Sequence, residues 1–554
     1  MSADPRRAPV KGFEVVAHVL KAEGVEFIAC YPRNPVIEAC AKVGIRPIVC
    51  RQERVGLGIA DGFSRVTNGR RLGVFVCQHG PGAENAFPGV AQAYSDNVPV
   101  LFLPAGEPAS RQGIRPTFSA RDNYARVTKW ATYVSDVRGL APALRHAFYR
   151  LRTGNGGPVL VETGNDALFG ELDRPLDYRP VSGSRYAPDA AAVEAAVAAL
   201  VAAERPVLLV GQGVLFAEAT AELVALAEAL DAPVITTMPG KSAFPENHPL
   251  SVGASAITKP PHLLAAYAEA DCIFAIGSSL TRTVYGTSPP AGKVLIQATV
   301  SEEDVHKEYA VDHVLVGDAR LTLEAVLAAL EARGVHRGPG PRAEATRAAK
   351  QAFLAEWRSE FESDEVPINQ YRVIHEMMRH LDPANTIVTH DAGTPREQIV
   401  SFWEATAPRG YIGWGKSTQL GFGLGAIMGA KLAEPGKTCI NVMGDAAIGM
   451  VGMDLETAVR NRIGIVTVIF NNGIMAIESD SLVEAHTEYG ANFVGGNYAA
   501  LAESLGASGE RVTQPNDFLP ALERAIAAAD TGRPAVVEVI VKAGYRWPGR
   551  PERF

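Results

Sequence analysis

The chain has 554 residues, 47% hydrophobic and 21% charged, a balance that excludes disorder, collagen-like repeats and small disulfide scaffolds. Its 53 Lys+Arg against 61 Asp+Glu leave a net charge of -8, without the basic stripe that marks a nucleic-acid binder. At roughly 100–200 residues per domain the length suggests about three domains, each large enough to bury its own core.

Short apolar runs alternate with amphipathic or Ala-rich helical stretches along the whole chain, which predicts parallel α/β layers. In the first block, strands are expected at VEFIACY, RPIVC, LGVFVC, VPVLFLPAG and GPVLVET, with a helix over Val55 to Val66. The stretch LDRPLDYRPVSGSRYAPD breaks this pattern and reads as a linker. A helix around Val193 to Ala203 opens the second block, followed by PVLLVGQG, APVITTM, CIFAIGSS and KVLIQATV. A second linker, GVHRGPGPRAEA, precedes the third block with TIVTHDAG, KTCINVMGD, GIVTVIFNN and PAVVEVIV. The expected domains are 1–172, 187–335 and 360–545.

The six cysteines, Cys30, Cys40, Cys50, Cys77, Cys272 and Cys439, are scattered and include no C-x-x-C pair. Reduced, buried thiols and a cytoplasmic location are expected. The N-terminus lacks the apolar region of a signal peptide, and no uncharged apolar run reaches about 18 residues, so neither secretion nor membrane spanning is expected.

The segment Lys437 to Glu478 reads as one βαβ unit: a strand ending at Asp445, a helix over roughly Met450 to Arg462, and a strand ending at Asn471 and Asn472. A right-handed crossover brings both strand ends to the carboxyl edge of the sheet, where open α/β folds bind ligands. Asp445 and Asn472 can thus face one hard cation such as magnesium, which takes oxygen ligands from protein, phosphate and water. The small residues Ala446 and Ala447 let backbone N–H groups approach a diphosphate at the helix start. Taken singly, the aspartate reads as a helix cap and Asn-Asn-Gly as a turn.

Together they resemble the motif of the thiamine diphosphate enzymes, which opens Gly-Asp-Gly and closes about thirty residues later with Asn-Asn. Here it reads Gly444-Asp445-Ala446 through Asn471-Asn472, the alanine being a substitution of the acetolactate-synthase-like branch. That resemblance implies Asp445, Asn472 and the carbonyl of Ile474 as magnesium ligands. CRQERVGLGIADG resembles the family's His-Glu-x-x-Ala segment and puts Glu53 beside the aminopyrimidine as the catalytic carboxyl. CQHGPGAEN resembles Ser-Gly-Pro-Gly-x-x-Asn, with Gln78 and His79 lining the reaction chamber and His79 in an acid/base role. GWGKSTQLGFGLG aligns with the cofactor-bending segment, making Leu420 the wedge and the Thr418 carbonyl an acceptor for the pyrimidine amino group. Gly393 and Thr394 would help hold the diphosphate. The implied architecture is a pyrimidine-binding, a central Rossmann-like and a diphosphate-binding domain, with a homodimer as the minimal unit and a homotetramer as the larger assembly.

Other motifs carry less. Gly410 to Ser417 spells a Walker A loop, but it lacks the strand before it and the helix after it that a phosphate loop requires. Gly211-Gln212-Gly213 follows a strand without a third glycine. Relatives place ADP or FAD in such a domain, yet Ala298 and Thr299 stand where they show an acidic run. Pro116 to Ala120 departs from the Phe-Gln-Glu of acetolactate synthases. Glu478, six residues past Asn472 in NNGIMAIE, belongs to a spelling similar to the branch that includes 2-hydroxyacyl-CoA lyases. There it would exchange the substrate's hydroxyl proton. Arg546, Arg550 and Arg553 of the tail are candidates for CoA phosphates, against the simpler reading of a frayed end. The favoured function is thiamine diphosphate-dependent cleavage of a 2-hydroxyacyl-CoA. Its alternatives are 2-oxo acid decarboxylation or acetolactate synthase-type carboligation, and a non-catalytic cofactor-binding homologue. The expected partners are a small-molecule substrate and a second copy of the chain, with no nucleic acid and no membrane.

Overall fold

The structure, a computed structural model, describes residues 10–553 except 284, 339 and 480. Each block of the sequence wraps helices around a six-stranded, wholly parallel sheet. In the first block the strands are β1 (Phe27–Cys30), β2 (Arg46–Val49), β3 (Gly73–Cys77), β4 (Val100–Gly106), β5 (Trp130–Val134) and β6 (Val159–Gly164). Their spatial order is β2-β1-β3-β4-β6-β5. The second contains β7 (Pro206–Val210), β8 (Val234–Thr237), β9 (Ser251–Ser255), β10 (Cys272–Ile276), β11 (Val294–Thr299) and β12 (His313–Val316), ordered β9-β8-β7-β10-β11-β12. In the third, β13 (Thr386–His390), β14 (Tyr411–Ile412), β15 (Thr438–Gly444), β16 (Val466–Asn471), β17 (Ser508–Val512) and β18 (Ala535–Ile540) take the order β14-β13-β15-β16-β18-β17.

The interior strands are mostly buried, and β4 and β16 are buried along their whole length. A parallel sheet covered on both faces demands this, and it explains why those strands read as unbroken apolar runs. The strands that the apolar runs do not predict are β5, β9, β12, β14 and β17, and all of them are sheet edges. An edge strand need not be apolar on both faces: SGERV in β17 and HVLV in β12 are half-buried.

The helices around these sheets include α1 (Glu53–Val66), α2 (Pro81–Ser95), α3 (Pro341–Glu356), α4 (Gln370–His380), α5 (Thr394–Val400), α6 (Phe422–Ala433), α7 (Asp445–Val451) and α8 (Leu455–Asn461). The helix expected over 450–462 is instead α7, a 3-10 turn at Gly452–Asp454, and α8. Gly449 and Gly452 are weak helix formers at that break. The second linker is also partly helical, because α3 starts at Pro341 with proline at its first turn, where its missing N–H costs nothing.

The chain forms two compact units, one reaching Ser184 and including 424–435 and 456–461, the other built from Arg185–Gly423, 436–455 and the chain from Arg462 onward. Within the first, α1 crosses the 424–433 stretch at backbone distance. A Cβ on Gly62 would stand 2.1 Å from the Ala426 carbonyl oxygen, and one on Gly429 2.2 Å from that of Ile59. All six cysteines are buried, and none forms a disulfide. Burial pushes Cys30, Cys40 and Cys272 up to about 12, which keeps them from acting as thiolates. Among the described residues no helix is long and apolar enough to cross a membrane.

Candidate active site

In the first unit, the turn after β2 delivers Glu53 as the opening residue of α1, 4% exposed. Burial raises its carboxyl pKa above the ordinary glutamate value, opposed by its own backbone N–H and the side-chain amide of Asn85. A carboxyl displaced in that direction can hold a proton and pass it on near neutral pH. The loop after β3 carries Gln78 and His79 into α2. Gly80 caps α2 at φ 61, ψ -113, a conformation that needs glycine. A Cβ on Gly82 would come 2.9 Å from Gln78 Cγ, so the glycines let the loop fold tightly on itself. His79 is half-exposed, with Nε2 3.5 Å from Glu107 Oε1. Asn85, which closes the Gly-Pro-Gly-x-x-Asn turn, is a partner of Glu53 that neither motif reveals by itself.

In the second unit, parallel pairing of β15 and β16 puts Asp445 and Asn472 at the same sheet edge. Asp445 is 3% exposed. Its Oδ1 accepts from Ala446 N and its Oδ2 from Gly473 N, each at 2.8 Å. Burial raises its pKa against the backbone N–H groups of Gly473, Ala446 and Asn472. Asn472 Oδ1 accepts from Ile474 N at 3.1 Å, curling the loop so that Asn472 and Ile474 lie beside the carboxylate. Asn471 is committed elsewhere, its amide donating to the buried Glu538 at 2.6 Å. That separates the two asparagines: Asn471 anchors the strand end, whereas the Asn472 side chain caps its own loop. Among the described residues no three or more of His, Cys, Asp and Glu gather into a metal-binding group. A cation here would therefore draw on one carboxylate, an amide and a carbonyl oxygen, donors that suit magnesium.

Two helix starts open on glycine: α5, capped by Gly393 at φ 100 with Thr394 first, and α7, capped by Gly444 with Ala446 and the buried Ala447 in its opening turn. The organiser of this region is Asp391, which is fully buried. Its Oδ1 accepts from Ala392 N and Gly421 N at 2.8 Å, and its Oδ2 from Gly423 N at 2.9 Å. One carboxylate thus ties the loop bearing Gly393 and Thr394 to the loop bearing Thr418 and Leu420. Gly421, at φ 88, leaves no room for a side chain, since a Cβ would meet Val451 Cγ1 at 2.6 Å.

The Gly410 to Ser417 run contains a strand, β14, instead of coming after one, and Lys416 Nζ donates to Ser279 Oγ at 2.9 Å. It is not a phosphate loop. In the central sheet, a Cβ on Gly211 would lie 2.2 Å from the Gly277 carbonyl oxygen, and one on Gly213 2.7 Å from Gly277 Cα. Loop packing accounts for both glycines without a nucleotide.

Glu478 ends a 3-10 turn at Ala476–Glu478 and is exposed. The tail is not frayed at Arg546 and Trp547. Arg546 stacks over Trp357 at 4.5 Å and pairs with Glu360 at 3.4 Å, and Trp547 is buried against Ala476, flanked by Ile474 and Ile477. The side chains of Arg550 and Arg553 lie outside the described residues.

Comparison with known proteins agrees with this geometry. Three family models match: the thiamine pyrophosphate enzyme N-terminal binding domain over residues 10–128, the central domain over 193–326 and the C-terminal binding domain over 391–539. A probable acetolactate synthase large subunit of Methanocaldococcus jannaschii is 29% identical, covering 98% of this chain and 94% of its own. Sulfoacetaldehyde acetyltransferase of Alcaligenes xylosoxydans is 29% identical over 90% and 87% of the two chains. Glyoxylate carboligase of Escherichia coli O157:H7 is 27% identical over 97% and 94%. With all three domain models matched in order along the chain, the chain belongs to the thiamine pyrophosphate enzyme family, as an acetolactate synthase-like carbon–carbon lyase or carboligase.

Proposed function

We propose that the protein is a magnesium-dependent carboligase acting on small 2-oxo acids, in the manner its relatives' names describe. The observation that supports this is the Asp445–Gly473 link, which holds the loop bearing Asn472 and Ile474 against a buried carboxylate. Thiamine diphosphate, when bound, supplies a nucleophilic carbon and an electron sink for making and breaking carbon–carbon bonds. In this reading Asp445, Asn472 and the Ile474 carbonyl hold magnesium, while Gly393, Thr394, Gly444, Ala446 and Ala447 present backbone to the diphosphate. The Thr418 carbonyl and Leu420 shape the pyrimidine end. Glu53 holds and releases the proton there, Gln78 and His79 line the substrate chamber, and Glu478 exchanges a proton with the substrate hydroxyl.

Cleavage of a 2-hydroxyacyl-CoA is the second reading, favoured by the Met475 to Glu478 spelling. It is weakened because Arg546, one of the tail arginines expected at CoA phosphates, is engaged by Glu360 and Trp357. We assign no ADP or FAD to the central domain. The same reading carries the domain limits 1–172, 187–335 and 360–545, a homodimer or homotetramer, and a cytoplasmic location. To test it, enzyme loaded with thiamine diphosphate and magnesium is offered pyruvate, glyoxylate, oxalyl-CoA and 2-hydroxyacyl-CoA esters, and products are identified by mass spectrometry. Carboligation products from free 2-oxo acids are expected. Formyl-CoA from an ester, with no product from any free acid, would overturn the preference.

A further inference from the structure

The second unit encloses a cavity of about 560 Å³ that the proposed carboligase chemistry does not use. Its walls come from β9, α3, α4 and the segment 400–404. That volume falls within the roughly 300–1,000 Å³ typical of small-molecule sites. One wall is aromatic: the Phe353 and Phe402 rings stack at 5.6 Å and 9°. Phe361 stacks on His375 at 4.8 Å and 8°, and Met378 completes the apolar surface. His262 donates from Nε2 to the Val252 carbonyl at 3.0 Å and is neutral, since burial pushes its pKa down to about 4.

The charges around this apolar wall do not cancel. Lys241 pairs with Glu246 and Lys350 with Glu404. What remains is Arg358 and Arg379 against the single carboxylate of Glu362. Neither guanidinium has an ion-pair partner among the described residues, and both are exposed at the rim. An apolar wall with one uncompensated positive charge at its edge is complementary to an amphipathic monoanion, and a carboxylate fits the guanidinium fork.

We propose that this cavity is a binding site for a small aryl carboxylate, its ring against Phe353, Phe402 and Met378 and its carboxylate at Arg358 and Arg379. Val400 and Phe402 to Glu404 line the cavity and continue directly from α5, whose first residue is Thr394. Occupancy therefore steadies the far end of the helix that presents a diphosphate-binding residue, and tightens cofactor binding. This coupling rests on the carboligase function proposed for the protein; the binding site itself does not.

The full-length protein is titrated calorimetrically with 2-naphthoate and with its uncharged counterpart 2-naphthalenemethanol. Binding of one naphthoate per chain is expected, weakened about tenfold for 2-naphthalenemethanol and in the double variant R358A/R379A, and abolished by M378W, which fills the cavity. Both arginines are exposed, so the double variant keeps its fold even if M378W does not. No naphthoate binding, equal affinity for the two ligands, or unchanged affinity in R358A/R379A would overturn the site. Saturating naphthoate is expected to tighten thiamine diphosphate about fivefold; an unchanged cofactor affinity would overturn the coupling. A protein that binds naphthoate but no thiamine diphosphate would defeat the proposed function while leaving the site intact.

Discussion

Asp391 is the residue on which the cofactor-side loops depend, and Asp391→Asn isolates its contribution with almost no change in shape. The parent side chain is fully buried and accepts three backbone N–H groups, from Ala392, Gly421 and Gly423. In the variant one oxygen becomes an NH2 group. If that group replaces Oδ2, the Gly423 N–H faces a donor; if it replaces Oδ1, those of Ala392 and Gly421 do. Losing a hydrogen bond to a charged group costs about 1.5–3 kcal/mol, and a buried N–H left without an acceptor costs about 1–3 kcal/mol more. A total of about 3–5 kcal/mol is expected. For a domain of this size that lowers the melting temperature by roughly 6–20 °C. If only about 1.4 kcal/mol of it goes into misplacing the loops of Thr394 and Leu420, thiamine diphosphate binds about tenfold more weakly. Circular dichroism melting and calorimetric titration with thiamine diphosphate and magnesium measure the two effects. A melting temperature within about 2 °C of the parent, together with unchanged cofactor affinity, would refute the assignment of Asp391 as the tie between the loops.

Glu53→Gln should lower turnover on a confirmed substrate by about 10²–10⁴-fold while leaving diphosphate and magnesium binding largely intact. Stability gives it an independent readout. Burial raises the Glu53 pKa, so the folded chain holds this proton more tightly than the unfolded one. The resulting contribution is complete below the unfolded-state value and is lost as pH rises through the folded-state value. Glutamine cannot ionise, so in cofactor-free protein the melting temperature of Glu53→Gln should gain on the parent as pH rises above the ordinary glutamate value, and a constant difference would argue against burial as the cause. Trp547→Ala removes a side chain packed on Ala476 beside Ile474 and Ile477. It should cost about 3–5 kcal/mol and raise the magnesium concentration needed for half-maximal cofactor binding, whereas an unchanged magnesium requirement would show that the tail does not support the ligand loop.

The interior strands are readable in the sequence because a strand buried on both faces must be apolar throughout, as in VLFLPAG and VTVIFN. The edges β5, β9, β12, β14 and β17 are not, since one side of each makes no ladder and the local pattern relaxes. The juxtaposition of Asp445 and Asn472 is legible for a different reason. Asp445 and Asn472 stand at the ends of two strands joined by a single crossover, so chain connectivity brings them together. Asp391 gives no such signal: in sequence it is one polar residue after a strand, and its importance lies in N–H groups supplied about thirty residues later by Gly421 and Gly423. Gly211 and Gly213 show the converse, a phosphate-like spelling that exists to let backbone pass Gly277.

The sequence by itself determined the α/β class and the family, because these arise from hydrophobic period and from short motifs whose chemistry is local. Only the tertiary structure decided which of two adjacent asparagines anchors the strand end, which aspartate ties the loops, why the Glu53 carboxyl is raised above its ordinary value, and that a tail expected to fray packs Trp547 against Ala476, Ile474 and Ile477. Each of these depends on burial and on hydrogen-bond partners far away in the chain, quantities that no stretch of sequence contains.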